Sequence, residues 1–272
     1  MGKINHVFHE VEMKTIFLIE SKGTTPVHDF GFTMMEAVKY HQWYYGKDSP
    51  YSLHFIENDM HPDSEAFAIA QVYLQPKTNK IIPVGSIDFT EKFMKLIYDV
   101  KLKPINIPQQ LCVHEFLKRN TSKVTMKEPW SFAGKGFFIK DIGMFKGYTD
   151  FSHPDSIIPK GTYLISDPID IISEYRCFVY SGELVGIHYY SGDFKVFPQV
   201  ETIQDMIEVY TDCPKAYSLD VAVAKTEDGI NTVLIEVHDI FSCGLYGFSD
   251  FNLLTKMYVS WYNECIEKKV PE

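Results

Sequence analysis

The residues best placed to do chemistry lie late in the chain, in SLDVAVAKTEDGINTVLIEVHDIFSCG, residues 218–244. Two apolar runs flank Glu227-Asp228-Gly229 and predict a hairpin, with Asp220 on its first strand. Glu236 and His238 are two apart on the second strand and so share a face. The turn decides what they meet. A two-residue Asp228-Gly229 turn sets Asp220 opposite Val237. A three-residue Glu227–Gly229 turn, its glycine left-handed, sets Asp220 opposite Glu236. In the second register two carboxylates converge and repel unless a cation lies between them, and oxygen ligands suit Mg²⁺. The competing arrangement turns both acids to solvent on opposite faces. An Asp, Glu, His set also suits a transition-metal triad, but hard oxygens dominate this one.

Two further groups carry charge on apolar elements. In ISEYRCFVYSGELVGIHYYSGD, Glu174 and Arg176 share one strand face while Tyr175, Cys177 and Val179 take the other. Such a pair is costly unless it faces water, as a cross-strand ion pair, or a ligand. In FFIKDIGMFKG, Lys140 stands near a strand end and Lys146 follows in a loop with Gly143 and Gly147. A strand-end ammonium neutralises phosphate oxygens, and glycines let backbone N–H groups approach an anion. An ordinary turn beside a solvated lysine has the same pattern. Neither GxxxxGK[ST] nor GxGxxG is present.

The elements that must position these groups follow from periodicity and punctuation. Strands are predicted at 14–19, 51–56, 81–89, 136–142, 161–166, 174–180, 184–190, 218–224 and 231–237, with Ser181-Gly182 as a tight turn. Helices are predicted at Thr33–Tyr44, capped by Thr33, at 92–98, Pro108–Lys118 and 201–210, and from Asp250 to Ile266 with Ser249 or Asp250 as cap. Pro104, Pro108 and KLKPINIPQQ mark a break. The expected organisation is an α/β part over 1–120 and an α+β part, rich in antiparallel strands, over 121–272.

Composition narrows the classes. With 26 Lys and Arg against 36 Asp and Glu the net charge is −10, which disfavours nucleic acid and anionic membranes as partners. No run of apolar residues is long enough to span a bilayer, and the start lacks a secretory pattern. The five cysteines show no CxxC spacing, which points to a reducing, cytoplasmic setting.

Taken in order, the strand-end Lys140, the loop Lys146, the strand YLISDP, the strand SEYRCFV and the pair in LIEVHDIFSCGLYG, preceded by VGSIDF, resemble the ATP-grasp superfamily over roughly residues 80–262. More narrowly they resemble a bacterial and phage clade in which a lysine replaces the usual arginine. The resemblance implies an α+β fold, two subdomains with antiparallel sheets gripping ATP, behind an N-terminal α/β part on the substrate side. It implies that Lys140 and Lys146 contact phosphates, and that main chain at Leu164, Ile165 and Ser166 reads adenine. Asp167 or Glu174 would lie near the ribose, and Arg176 would face the phosphate or acceptor. Asp220 and Glu236 would hold Mg²⁺, with His238 where relatives supply Asn, so that Mn²⁺ is an alternative ion. Lys195 is the expected arginine replacement, with Lys225 as competitor. The implied activity is ligation of a carboxylate to an amine or thiol through an acyl phosphate, on a peptide, protein or amino acid. Two other functions fit the residues: a non-catalytic aromatic-rich binding module, and a kinase that does not ligate. Oligomeric state is open.

Overall fold

In the computed structural model, residues 14–57, 78–131, 136–145, 147–152 and 156–268 are described, with Ser64, Ala68, Gln71, Gln75 and Pro76 between the first two stretches. The N-terminal part is built on strand β1 (Thr15–Lys22), which pairs in parallel with β3 (Tyr51–Ile56) on one side and β4 (Lys80–Val84) on the other. Helical residues pack on this sheet in one core with Phe17, Leu18 and Ile19, so the central strand is buried on both faces, which explains its unbroken apolar run. Short β2 (Thr25–Pro26) folds back antiparallel on the end of β1.

Helix α1 (Asp29–Tyr45) buries Met34, Ala37, Val38 and His41. It starts earlier than expected, and Thr33 is not its cap: the Thr33 hydroxyl donates within the helix to the Asp29 carbonyl at 3.0 Å. The strand expected over 81–89 ends at Val84. Gly85 and Ser86 turn the chain into α2 (Ile87–Tyr98), and the Ser86 hydroxyl accepts from the Phe89 N–H at 3.2 Å as N-cap. Gly85 is required there, since a Cβ would fall 2.5 Å from the Phe89 ring and 2.6 Å from Glu20. The helix expected over 108–118 breaks into a 3₁₀ turn at Gln109–Leu111 and α3 (His114–Leu117).

Beyond α3 the pairing is wholly antiparallel. One sheet has the order β5 (Thr121–Met126), β10 (Gly161–Ser166), β7 (Phe138–Asp141), β8 (Thr149–Phe151); β6 (Trp130–Ser131) and β9 (Ile157–Ile158) make a separate pair. A larger sheet runs β12 (Glu183–Gly192), β11 (Asp170–Tyr180), β13 (Ala216–Thr226), β14 (Gly229–Asp239). Ser181 and Gly182, both at positive φ, close the β11–β12 hairpin as a primed turn. Helix α4 (Val200–Val209) buries Ile203, Met206 and Ile207 in a core with Tyr175, Tyr217, Leu219 and Val237. The last helix, α5 (Phe251–Glu267), returns to the N-terminal sheet. Its Leu254, Met257, Tyr258 and Trp261 join the core of Phe17, Met34 and Phe93, while Leu253 stays only partly buried. Asp250 caps α5, accepting from the Leu253 N–H at 2.9 Å.

Candidate nucleotide and metal site

Three adjacent strands place the charged residues in one row. On β11 Arg176 is directly opposite Asp220 of β13, and Asp220 is directly opposite Glu236 of β14. The register arises differently from the expected three-residue turn. The loop has two residues, Glu227 and Asp228, between paired Thr226 and Gly229, and that register continues to Val221 opposite Leu234. A β-bulge then inserts Ile235, so that Asp220 meets Glu236. The extra residue lets Leu234 and Val237 both stay in the core below while Glu236 and His238 face the cavity above.

Arg176 and Asp220 are both buried and joined bidentately, Nε to Oδ1 at 2.8 Å and Nη2 to Oδ2 at 2.7 Å. Arg176 Nη1 donates to the Gly244 carbonyl at 3.0 Å, and the guanidinium lies 5.2 Å from the centre of the Tyr246 ring. Burial opposes ionisation of Asp220, but the bonds from Arg176 and His238 outweigh it and hold the carboxyl below its usual range. His238 Nε2 lies 3.3 Å from Asp220 Oδ2 and 2.9 Å from Glu236 Oε1. From the facing sheet Lys140 of β7 pairs with Glu236. Burial pushes the Lys140 ammonium down to about 8, with the charge of Asp220 opposing.

Lys140, Arg176, Glu236 and His238 line a cavity of about 620 Å³ between the two antiparallel sheets and the N-terminal part, with Asp220 buried behind them. Its other end is an apolar slot of Phe138, Phe151, Leu164, Ile169, Ile171 and Ile235. Ser166 and Asp167 line it at the crossing from β10 to β11, where Asp167 and Asn120 bond reciprocally, backbone at 3.0 Å and side chain at 2.7 Å. Glu174 also faces the cavity and accepts from the Tyr190 hydroxyl at 3.1 Å.

Not every expected residue reaches it. The role expected of Leu164–Ser166 is a main-chain one, and the Ile165 side chain itself turns into the core of Met126, Ile139 and Tyr163, as alternation along β10 requires. Lys195 is exposed between β12 and α4, outside the cavity lining. Lys225 is exposed and pairs with Asp170 at 3.0 Å. Lys146 lies outside the described residues. Cys243 lines the cavity, but burial pushes its thiol up to about 11, and it donates to the Ile240 carbonyl at 3.1 Å.

Two residues that sequence patterns did not flag are part of the wall. Arg119 donates to the carbonyls of Leu117 at 3.2 Å and Leu234 at 3.0 Å, and burial lowers its guanidinium to about 10. Asn106, buried and at φ 57°, accepts from the Val237 N–H at 2.6 Å and donates its amide to the Ile142 carbonyl at 3.0 Å. It thus ties the break segment to both the carboxylate strand and the end of the lysine strand. Its only sequence signal was an Asn between two prolines in a segment without periodicity.

The donor set tests well for a divalent ion. One ligand atom each from Asp220, Glu236 and His238 fall within 4.8 Å of one another. Carboxylate oxygens keep lone pairs beyond those used by Arg176 and Lys140, and the set is mostly hard oxygen.

Residues 116–255 match the family model for the ATP-grasp domain, R-to-K clade family 2. No curated protein matches the chain. Among solved structures, D-alanine–D-alanine ligase from Bacillus anthracis, complexed with ATP, is similar with a TM-score of 0.53 at 10% identity, covering 94% of this chain and 99% of that one. N5-carboxyaminoimidazole synthetase from Staphylococcus aureus reaches a TM-score of 0.56 at 10% identity, covering 92% of this chain and 78% of that one. At such identity the likeness is one of fold.

Proposed function

The chain belongs to the ATP-grasp domain family, R-to-K clade family 2, and on that premise we propose that it is an ATP-dependent ligase joining a carboxylate to an amine or thiol through an acyl phosphate. The single observation that carries this is the row Arg176, Asp220, Glu236 across three strands with Lys140 facing it from the other sheet. Bringing a carboxylate against a terminal phosphate sets two anions in contact. Fixed cations in a cavity shielded from water lower that cost most where charge develops.

Lys140, now paired with Glu236, is the compact ammonium that would exchange from that carboxylate onto a phosphate oxygen. Arg176 cannot swing freely: Asp220 and the Gly244 carbonyl fix its plane, so it acts as an oriented positive surface at the phosphate or acceptor end. Asp220, Glu236 and His238 would hold the divalent ion, Mg²⁺ or Mn²⁺. When bound, that ion would neutralise phosphate oxygens and polarise the transferred group. The apolar slot by Leu164 takes the adenine, with main chain at Leu164–Ser166 reading its edge and Asp167 or Glu174 at the ribose. Lys146 is assigned as a second phosphate contact. The unidentified carboxylate and amine would enter from the N-terminal side, where Ile87 and Ser242 line the cavity.

Thermal denaturation with and without millimolar Mg-ATP tests the nucleotide step: a ligand held at about 100 times its Kd stabilises by about 2.7 kcal/mol. Lys140→Ala should lose most of that shift and lower ADP release by about 10²–10³-fold. Unchanged ADP release in this variant sinks the assignment. A wild type that Mg-ATP does not stabilise would favour a non-catalytic binding module. With an ¹⁸O-labelled carboxylate substrate, label in free phosphate marks an acyl phosphate, whereas phosphate retained on the product marks a kinase.

A further inference from the structure

A second concavity, of about 910 Å³, opens at the opposite edge of the parallel sheet. The nucleotide cavity borders the strands' C-terminal ends, where Ile87 lines it and the hydroxyl of Ser242 donates to the Gly85 carbonyl at 2.6 Å. The second groove lies at their N-terminal ends, where Lys14 precedes β1 and Pro50 and Tyr51 open β3. Between the two runs β1 from Thr15 to Glu20, about 17 Å at ~3.3 Å per residue.

Tyrosines and lysines form its walls. Tyr40, Tyr44, Tyr45 and Tyr51 line it together with Lys14, Lys47 and Lys256. Tyr44 and Tyr45 are 63% and 48% exposed and meet edge to face at 4.7 Å, and Tyr40 stacks on Tyr44 at 6.3 Å. Trp43 beside them is 78% exposed. Tyr51 packs against the N-terminal core and Tyr45 stacks on His41, but core packing does not account for Trp43 and Tyr44, since α1 turns Met34, Ala37, Val38 and His41 inward instead. A cluster of exposed aromatics on one helix end marks a contact surface rather than scattered apolar residues. Among the described residues, none of Lys14, Lys47 and Lys256 makes an ion pair, and Asp48 is the one acid in the wall. On a chain of net charge −10 this is a local reversal of sign. His41, which lines the groove and is 4% exposed, has an Nδ1 without a hydrogen-bond partner.

We propose that this groove docks an acidic peptide segment of another polypeptide, an extended stretch whose carboxylates are spaced by apolar or aromatic residues. The three ammonium groups are separate points, which suits isolated carboxylates. A nucleic-acid strand carries a phosphate at each nucleotide and needs a continuous basic track, which Asp48 and the overall charge oppose. Tyrosines give broad contact area with hydroxyl donors and little entropy to lose. The docking does not depend on the ligase chemistry.

Fluorescence anisotropy of the full chain with a fluorescein-labelled peptide of alternating Glu/Asp and Phe/Leu tests this. Expected is micromolar binding, weakened several-fold between 50 and 300 mM salt. A Lys47→Glu, Lys256→Glu double variant should weaken it at least tenfold and Tyr44→Ala about fivefold. All three side chains are exposed, and an unaltered thermal shift with Mg-ATP in these variants separates the groove from the nucleotide site. The proposal is overturned if the acidic peptide binds no better than its Lys-substituted counterpart, if the variants bind as the wild type does, or if an oligo(dT) of equal charge binds more tightly.

Discussion

Arg176 and Asp220 are worth more for orientation than for stability, because two charges taken out of water recover little beyond their desolvation cost. Breaking the pair is another matter. Arg176→Ala leaves the buried Asp220 carboxylate with only His238, and urea unfolding should show a loss of about 3–5 kcal/mol. The neighbouring Asp239 makes the opposite case. Burial pushes its carboxyl up to about 7 against the pull of Lys268 and His238. The folded chain therefore holds a proton there that the unfolded chain, with a carboxyl near 3.9, releases, so this residue's contribution to stability falls as pH rises from about 4 to 7. Asp239→Asn should melt above the wild type at pH 8, with the difference closing as pH is lowered from 7 toward 4. Charged residues on apolar strands were legible in the sequence, since alternation alone gives their faces. Arg119 and Asn106 were not, because they stand in segments without period and gain their roles from partners more than 30 residues away.

At the scale of elements, the hairpin carrying Asp220 and Glu236 shows how one pairing has two possible origins. A three-residue turn and a two-residue loop with one bulge both set these residues opposite each other. They differ on the turn side of the pair: unbroken alternation would put Leu234 on the face of Glu236, whereas the inserted Ile235 shifts the register by one and reverses that parity. Side-chain demand decided it: Leu234 and Val237 must both enter the core below. Asn106 is the element-level counterpart, a left-handed residue bridging the carboxylate strand and the end of the lysine strand. Asn106→Gly keeps that backbone conformation and the bond to Val237 but loses the amide to Ile142. Mg-ATP affinity by calorimetric titration should fall roughly tenfold, about 1.4 kcal/mol, the size of one buried hydrogen bond. Asn106→Ala should lose thermal stability as well, since the left-handed conformation costs about 1–2 kcal/mol without glycine or asparagine. Wild-type affinity in the glycine variant would reduce Asn106 to holding the chain path.

For the whole molecule, the C-terminal helix α5 packs on α1 and completes the core of the N-terminal sheet. Trp261 sits 4.9 Å from Phe241, which lines the cavity between the sheets, so this core and the candidate site share a wall. Trp261→Ala should cost about 3–5 kcal/mol by thermal or chemical denaturation, since it empties a large buried volume. What the chain's residue order determined on its own was local: which segments alternate, where turns fall, that acids, a histidine and lysines stand on apolar strands, and that their succession resembles ATP-grasp. Those properties depend on neighbours a few positions apart, and propensity and period record them. Tertiary structure decided which charges meet. Lys140 reaches Glu236 from a different sheet, whereas Lys195 and Lys225 stay in water, and the bulge at Ile235 follows from a core filled by helix α4. Each is a contact between residues distant in sequence, set by how apolar faces close over one another, and no local pattern encodes that closure.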